Sequence, residues 1–233
     1  MLPFSAVGRV GGGGGGGVTV PDVGQVDYYK EDSNGTSWIY AVGSEFSLEG
    51  GGRSLSDTSV LVYKSPITTV NSNTYGISVA PTGVVHIPEI TISSGGTLQV
   101  TGSSGLGGCG SISIPSAILG TGGNLSLAAD SIEVGLTIYE DGSTANIAMS
   151  AATSVVLLDC VWEDAAQWVW NLTNCVMSSS AVDAFLVALN ASVDETQNAI
   201  VYLNNISNGA PGSAGMAAIT ALALKGVIVD PIV

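Results

Sequence analysis

Charged residues are scarce in this chain of 233 residues, and positively charged ones are the scarcest. They make up 10% of the sequence, against about a quarter in an average soluble domain. The chain has 5 Lys plus Arg and 19 Asp plus Glu, a formal net charge of −14. Nucleic acid is excluded as a partner, because binding phosphates needs clustered Lys and Arg, and an anionic membrane is disfavoured for the same reason. Much of the surface must be Ser, Thr, Asn and Gly, or be covered by other subunits.

Histidine and cysteine are also rare. His86 is the single histidine, and with no Ser or Cys nucleophile motif this excludes catalytic triads and histidine zinc sites. We expect His86 on a strand face. The three cysteines, Cys109, Cys160 and Cys175, fit neither a disulfide framework nor a Cys-x-x-Cys metal site. We interpret them as small buried hydrophobes. Cys160 and Cys175 each end a β-prone run and are expected to stack in adjacent coils. The sequence leaves open whether a disulfide joins them.

Long apolar runs are missing as well, although 45% of the residues are hydrophobic, which is ample for a core. Met1 to Val10 contains no apolar run of signal-peptide length, and no stretch of about 18 apolar residues occurs elsewhere. We therefore expect the protein to be made in a cytoplasm and to assemble there without a membrane.

Glycine, in contrast, is abundant, with 32 residues in the chain. An unbroken run of it loses the most backbone entropy on ordering and is a flexible arm by default. Residues 1–20 are therefore predicted to form a docking arm that binds a neighbouring subunit or particle. The run consists of Gly11, Gly12, Gly13, Gly14, Gly15, Gly16 and Gly17.

The middle of the chain alternates short β-prone runs with turn residues. In residues 21–75, Ser33-Asn34-Gly35 favours a hairpin turn, which predicts a small antiparallel β unit. In residues 76–154 the runs are shorter and alternate in polarity, as in Ser111–Ile114, which puts the apolar residues on one strand face. This pattern predicts a β-solenoid or β-sandwich body. The solenoid is favoured because the runs continue into the C-terminal block.

Residues 155–233 read as a β-α-β-α-β block. The first helix has Ser178 to Ser180 as candidate caps, and its apolar residues recur at helical spacing, namely Val182, Phe185, Leu186 and Leu189. The second helix is predicted to be capped by Ser213 and stopped by Gly226. Its predicted apolar stripe is Met216, Ile219, Leu222 and Leu224. The fold class is thus mainly β, with this helical block at its end.

The block resembles a leucine-rich-repeat-like terminal module of bacteriophage virion proteins and bacterial surface proteins. The residues that carry the resemblance are Trp170–Cys175, Val182–Asn190, Val201–Asn205, Asn208–Pro211 and Ala221–Val229. The chain departs from the module after the second β run, where Asn204-Asn205-Ile206 replaces a fuller Gly-Gly-Thr. The module brings no catalytic residues.

The resemblance implies a non-enzymatic virion structural protein: a tail-fibre, tail-appendage or capsid-surface component that forms a homo-oligomer, with a trimer favoured. The alternatives are a bacterial cell-surface adhesin and, less favoured, a glycan-cleaving phage depolymerase.

Two candidate chemical motifs have simpler interpretations. Gly105–Gly110 has the letters of a dinucleotide-binding fingerprint, but that motif needs a helix after it, and Ser111–Ile114 continues as β. The acidic residues Glu140, Asp141, Asp159, Glu163 and Asp164 invite comparison with glycosidase carboxylates or calcium ligands, yet Glu140 and Asp141 sit in an ordinary turn sequence and no basic residue lies nearby in the sequence. We predict no catalytic residue, cofactor or metal.

Three tryptophans, Trp162, Trp168 and Trp170, precede the helical block. Exposed tryptophans stack on glycans or anchor interfaces, whereas buried ones fill a core. Core or subunit interface is the favoured interpretation, and contact with a host-surface glycan is the alternative.

Overall fold

The structure, a computed structural model, describes much of the chain from Tyr28 onward. The glycine run, the Ser33–Gly35 turn and the rest of residues 1–20 lie outside the described residues. The ranges described are 28–32, 38–41, 53–55, 58–63, 67–69, 74–92, 95–102, 108–138, 144–162, 167–193, 198–203 and 207–230.

The first strands combine antiparallel and parallel pairing. Strands β1 (Tyr28–Asp32) and β2 (Trp38–Ala41) are antiparallel, and β1 also pairs antiparallel with β4 (Thr58–Tyr63). Strand β3 (Arg53–Leu55), β4 and β5 (Ile67–Thr69) instead pair in parallel with the strands that follow. This segment therefore joins the body through parallel edges and is not an isolated hairpin unit.

The body is a parallel β-solenoid of about four turns. Its coils run through β6 (Thr74–Val79), β7 (Val84–His86) and β8 (Ile90–Ile92), then β9 (Thr97–Gly102) and β10 (Cys109–Leu119), then β11 (Asn124–Ile138), and then β12 (Thr144–Ser150) and β13 (Ser154–Trp162). Equivalent strands of successive coils pair in parallel. A sandwich would stack two antiparallel sheets, so the solenoid alternative is the correct one.

Each coil passes through three stacked faces. Face 1 holds β6, β9, the start of β11 and β12; face 2 holds β7, the start of β10, the middle of β11 and the start of β13; face 3 holds β8 and the ends of β10, β11 and β13. Alternate side chains point inward, because successive strand residues face opposite sides. The buried ladders include Leu98–Leu125–Ile147 on face 1 and Ile112–Ile132–Val155 on face 2.

Two strands are longer than the sequence pattern indicates. Strands β10 and β11 run on from face 2 into face 3, with register shifts at the corner between Ile114 and Ala117 and between Val134 and Leu136. The corner of β11 is Gly135, where an added Cβ would lie 2.0 Å from the Pro115 carbonyl oxygen. Only glycine lets the two coils approach this closely.

The C-terminal block extends face 1 and replaces the other two faces with helices. Strands β14 (Gln167–Asn174), β15 (Asn198–Tyr202) and β16 (Val227–Asp230) continue the parallel sheet from β12. Helix α1 (Ser179–Ser192) packs against β13, and helix α2 (Ser213–Leu224) packs against α1 and β16. One hydrophobic core runs through coils and block. Within the described residues, no helix has the length and apolar character needed to cross a bilayer.

Helix α1 matches its sequence prediction. The Ser178 hydroxyl accepts a hydrogen bond from the Ala181 N–H, and the buried residues are the four predicted ones, Val182, Phe185, Leu186 and Leu189.

Helix α2 differs from its prediction. Its N-cap is Gly212 and not Ser213, and its buried residues are Gly215, Ala218 and Leu222. Leu224 is 84% exposed and Met216 is 54% exposed, while Ile219 is partly buried. The predicted stripe is thus correct at Leu222 and Ile219 and wrong at Met216 and Leu224. Apolar residues occur all round this helix, so its composition does not mark the buried face. Gly226 has φ +76° and ends the helix as predicted.

The two helices cap each other. The Asp183 carboxylate of α1 accepts hydrogen bonds from the N–H groups of Gly212 and Gly215, at 2.7 and 3.1 Å. Beyond the other end of α2, the Lys225 ammonium donates to the backbone carbonyls of Asn190 and Val193 at the end of α1. A carboxylate at a helix N-terminus and a cation at a C-terminus both complement the helix dipole. The carboxylate approaches this closely because Gly215 carries no Cβ, which would lie 2.2 Å from the Asp183 oxygen.

A buried amide ties the loop before α2 to the turn before α1. Asn208 is the one buried polar side chain among the described residues. Its Oδ1 accepts from the Met177 N–H at 3.1 Å, and its Nδ2 donates to the Leu172 carbonyl at 2.9 Å. Both ends of the amide are thus satisfied, as burial requires.

We predict that Gly135→Ala destabilises the solenoid by at least about 2 kcal/mol, because the new methyl group overlaps a backbone oxygen that cannot rotate away. Urea denaturation followed by circular dichroism measures this. Ser131→Ala, at an outward position of the same strand, is the control and should stay within about 0.5 kcal/mol of the wild type. Equal stability of the two variants would contradict the close approach at this corner.

We predict that Asp183→Ala lowers the free energy of unfolding by about 1–2 kcal/mol, because two N–H groups at the start of α2 lose their acceptor. Asp183→Asn keeps an oxygen there and should lose about half as much. Thermal denaturation of the three proteins compares them. An Asn variant as unstable as the Ala variant would show that the charge, and not the acceptor, carries the effect.

Candidate functional site

The three tryptophans form the junction between the solenoid body and the helical block. Trp162 ends β13, and its ring stacks on Trp168 of β14 with centroids 4.5 Å apart. Its indole N–H donates to the Ser192 hydroxyl at 3.1 Å. The rings of Trp170 and Phe185 of α1 pack edge to face, with centroids 5.2 Å apart. The rings therefore connect the last all-β coil to α1.

Burial divides the tryptophans into two groups. Trp168 and Trp170 are fully buried, whereas Trp162 is partly buried. Trp168 fits because its register partners on the two neighbouring strands are Ala145 and Ala199. The structure thus places Trp168 and Trp170 in the core, where no ring face is free for a glycan. Trp162 alone retains some exposed surface.

The two buried indoles have an unusual feature. Neither the Trp168 nor the Trp170 N–H has a hydrogen-bond partner among the described residues. An unsatisfied buried donor costs free energy, which the apolar area of the two rings offsets. The two rings lie between the strands and helix α1, which indicates that they fill the core and do not take part in a reaction.

His86 lies on a strand face, as predicted. Its Nδ1 is 3.3 Å from the Ser113 hydroxyl, and Ser113 is the register partner of Glu133 on the next coil. Burial lowers the pKa of His86, and Glu133 opposes that shift. In a catalytic triad the histidine stands between serine and carboxylate. Here serine stands in the middle, so the row is a polar ladder on the outer surface.

The acidic candidates are not brought together within the described residues. Asp159 is exposed on β13, while Glu140, Asp141, Glu163 and Asp164 lie outside the described part of the chain. Across the described ranges, no group of three or more His, Cys, Asp or Glu side chains is arranged to hold a metal ion.

The described end of the glycine-rich run overlaps the start of β10 and serves packing. Its described members, Gly108 and Gly110, lie so close to neighbouring coils that a Cβ would be 2.7 Å from the Ala129 and Thr82 backbones. The run leads into a strand and not into a helix. The helix N-terminus that receives a pyrophosphate in a dinucleotide site does not follow it.

The cysteines are free thiols on different faces. Cys160 lies in β13 on face 3, whereas Cys175 follows β14 on face 1 and donates to the Met149 carbonyl at 3.3 Å. The expectation that they stack in adjacent coils was wrong, and no bridge links them. Burial raises the pKa of Cys109 to about 12, and those of Cys160 and Cys175 to about 11.

Exposed apolar side chains concentrate on three elements that pack on one another, β13, α1 and α2. Of the nine large apolar side chains that are exposed in the described residues, six belong to these elements. They are Val156, Leu158 and Val161 of β13, Val187 of α1, and Met216 and Leu224 of α2.

The sequence contained a sign of these exposed residues that the interpretation missed. Val155-Val156-Leu157-Leu158 is an unbroken apolar run, where earlier strands alternate. A strand that is apolar on both faces is covered on both faces in most proteins. In β13 only the inner face is covered within the described part of the chain.

No family model matches the sequence, and no curated protein and no solved structure matches it either.

We predict that the thiols resist alkylation in the folded protein. A pKa of about 11, against an ordinary value of 9.0, lowers the thiolate fraction of Cys160 at pH 8 by about a hundredfold. Cys109 and Cys175 are buried, and Cys160 is partly buried. Mass spectrometry after iodoacetamide treatment, with and without urea, measures the labelled fraction. One thiol that labels as fast in the folded chain as in urea would contradict this arrangement.

Proposed function

We propose that this protein is a non-enzymatic structural component of a bacteriophage virion, part of a tail fibre, tail appendage or capsid surface. The observation that carries the proposal is the continuous parallel stack from β6 to β16, ended by a β-α-β-α-β block. A stack of this kind is a rigid, elongated support whose stability comes from neighbouring coils.

The end block supports the same proposal. Residues 155–233 resemble the leucine-rich-repeat-like module of phage virion proteins. Their two helices cap each other, and both pack on the core that the strands share. In this proposal the block completes the core of the stack and carries no reaction.

The arrangement of reactive groups favours a structural role over an enzymatic one. His86 and Ser113 belong to a flat outer ladder, and the buried thiols are held protonated. Catalysis needs convergent groups around a substrate position. The described groups face different sides of the solenoid.

The proposed assembly is a homo-oligomer, with a trimer favoured, attached to other virion proteins through residues 1–20 and located in a particle assembled in a host cytoplasm. Scarcity of charge supports the oligomer, since a surface with few charged residues is suited to contact with other subunits.

A bacterial cell-surface adhesin is the second candidate, because the same module resemblance extends to bacterial surface proteins. Contact with a host-surface glycan is then expected at Trp162, the one tryptophan of the three that keeps exposed surface.

The decisive experiment is proteomic analysis of purified particles from the strain that encodes the chain. We expect the protein in the particles, in a copy number divisible by three, with no release of oligosaccharides from the host surface polymer. Its presence on the cell surface in cultures without particles would replace the proposal with the adhesin. Oligosaccharide release that Glu163→Gln abolishes would replace it with a depolymerase.

A further inference from the structure

The loop between β15 and α2 contains an asparagine followed by a glycine, Asn208-Gly209. In a flexible chain this pair readily loses ammonia, because glycine has no side chain to hinder its backbone nitrogen and permits the backbone angles that the reaction needs. The sequence has one other such pair, Asn34-Gly35, which lies outside the described residues. Asn208 is therefore a candidate for spontaneous covalent modification.

The reaction takes place between two neighbours in the chain. The backbone nitrogen of Gly209 attacks Cγ of Asn208, the bond between Cγ and Nδ2 breaks, and Nδ2 leaves as ammonia with the amide proton of Gly209. The product is a cyclic imide. Water then adds to either of its carbonyl carbons, which gives aspartate or isoaspartate at position 208. Solvent water is the only co-reactant.

The closed structure holds both reacting groups in hydrogen bonds. Asn208 is 6% exposed, and its amide accepts from the Met177 N–H and donates to the Leu172 carbonyl. The attacking group is held as well, since the Gly209 N–H donates to the Met177 carbonyl at 2.7 Å. Met177 thus contacts both residues of the pair, and neither the amide nor the nitrogen can turn toward the other.

The packing against α1 accounts for both members of this labile pair. A Cβ at position 209 would lie 2.3 Å from the Ser179 nitrogen, so glycine is needed where the loop approaches the start of α1. Position 208 needs an amide, because its buried side chain both accepts and donates a hydrogen bond. Aspartate has no N–H group to donate to the Leu172 carbonyl.

We propose that Asn208 is a site of spontaneous deamidation that the closed C-terminal block protects, and that its conversion prevents an opened block from closing again. Aspartate at this position places a carboxylate oxygen against the Leu172 carbonyl oxygen in a buried site, which is unfavourable. Isoaspartate adds a carbon atom to the main chain and displaces Gly209 from α1. This inference does not depend on the virion role.

The contacts of the block favour local opening over unfolding of the whole chain. In stacked repeats each repeat contacts only its neighbours, so one can open while the others stay paired. Helix α2 packs against α1 and β16, and Asp183 and Lys225 join the ends of the two helices. Separation of α2 from α1 frees the Asn208 loop while the strands of the body remain paired.

The first test follows the reaction in the full chain. The protein is kept in a mildly alkaline buffer with or without urea, and mass spectrometry of a chymotryptic digest measures aspartate and isoaspartate at position 208. In urea, Asn208 should convert as fast as Asn34, and far faster than Asn124, which precedes leucine. In the folded protein its conversion should be at least about a hundredfold slower. Equal rates in both conditions, or no conversion in urea, would overturn the proposal.

The second test opens the block while the body stays intact. Asp183→Ala removes an acceptor at the start of α2 and should speed conversion of Asn208 in the folded protein by about 5- to 30-fold. The control is Leu98→Ala, which removes a fully buried side chain from β9 of the body and should leave the rate unchanged. An unchanged rate in Asp183→Ala, or equal acceleration by both variants, would contradict local opening of the block.

The third test makes the product directly. Asn208→Asp should lower the melting temperature by at least about 5 °C. Asn171→Asp is the matched control, because Asn171 is exposed and its Oδ1 accepts from Thr173, as a carboxylate oxygen also can. It should melt within about 2 °C of the wild type. An Asn208→Asp protein that melts with the wild type would show that conversion does not prevent closing. The first test needs no variant and decides the proposal even if Asn208→Asp does not fold.

Discussion

Parallel in-register stacking is the constraint on which the rest of this structure depends. Each inward side chain touches the equivalent residues of the coils before and after it, so the volumes along one ladder must add up to a filled core. Medium-sized aliphatic residues satisfy this in the body, as in the ladder Leu98–Leu125–Ile147. Trp168 of β14 is larger than these residues and requires small partners on the two neighbouring strands. The chain has Ala145 and Ala199 at those positions. Trp168 and its two alanine partners thus fill the core at the point where the coil changes shape.

That change of shape is the replacement of two strand faces by a helix. A helix leaves unpaired N–H and C=O groups at its ends. The block satisfies these groups through contacts between repeats. Asp183 and Lys225 satisfy the adjacent helix ends, and Asn208 joins the two connecting loops. These polar contacts hold the helices in fixed positions over the same core that the strands share.

Much of this arrangement was predictable from the sequence where polarity alternates. Ser111–Ile114 and its counterparts predicted strands with one buried face, and helical spacing predicted the buried side of α1. The corners were not predictable, because Gly135 reads like any other glycine until Pro115 of the neighbouring coil is placed against it. The buried face of α2 could not be read from a segment that is apolar all round. Which of the three tryptophans are buried depends on their partners in the neighbouring strands, about 23 and 31 residues away in sequence. No local sequence pattern shows these partners. The apolar run of β13 was visible in the sequence. Its outward residues stand out only when they are compared with the polar outward residues of the neighbouring coils.

The direction of the hydrogen bonds in the stack has a mechanical consequence. In a solenoid the bonds between strands point along the long axis. Tension applied at the two ends of the solenoid therefore pulls along these hydrogen bonds. The coils then separate one at a time instead of resisting together. Resistance to pulling must come from groups that span several layers at once. In this molecule those are the tryptophan junction and the paired caps of α1 and α2, which reinforce the end of the stack where coils give way to helices.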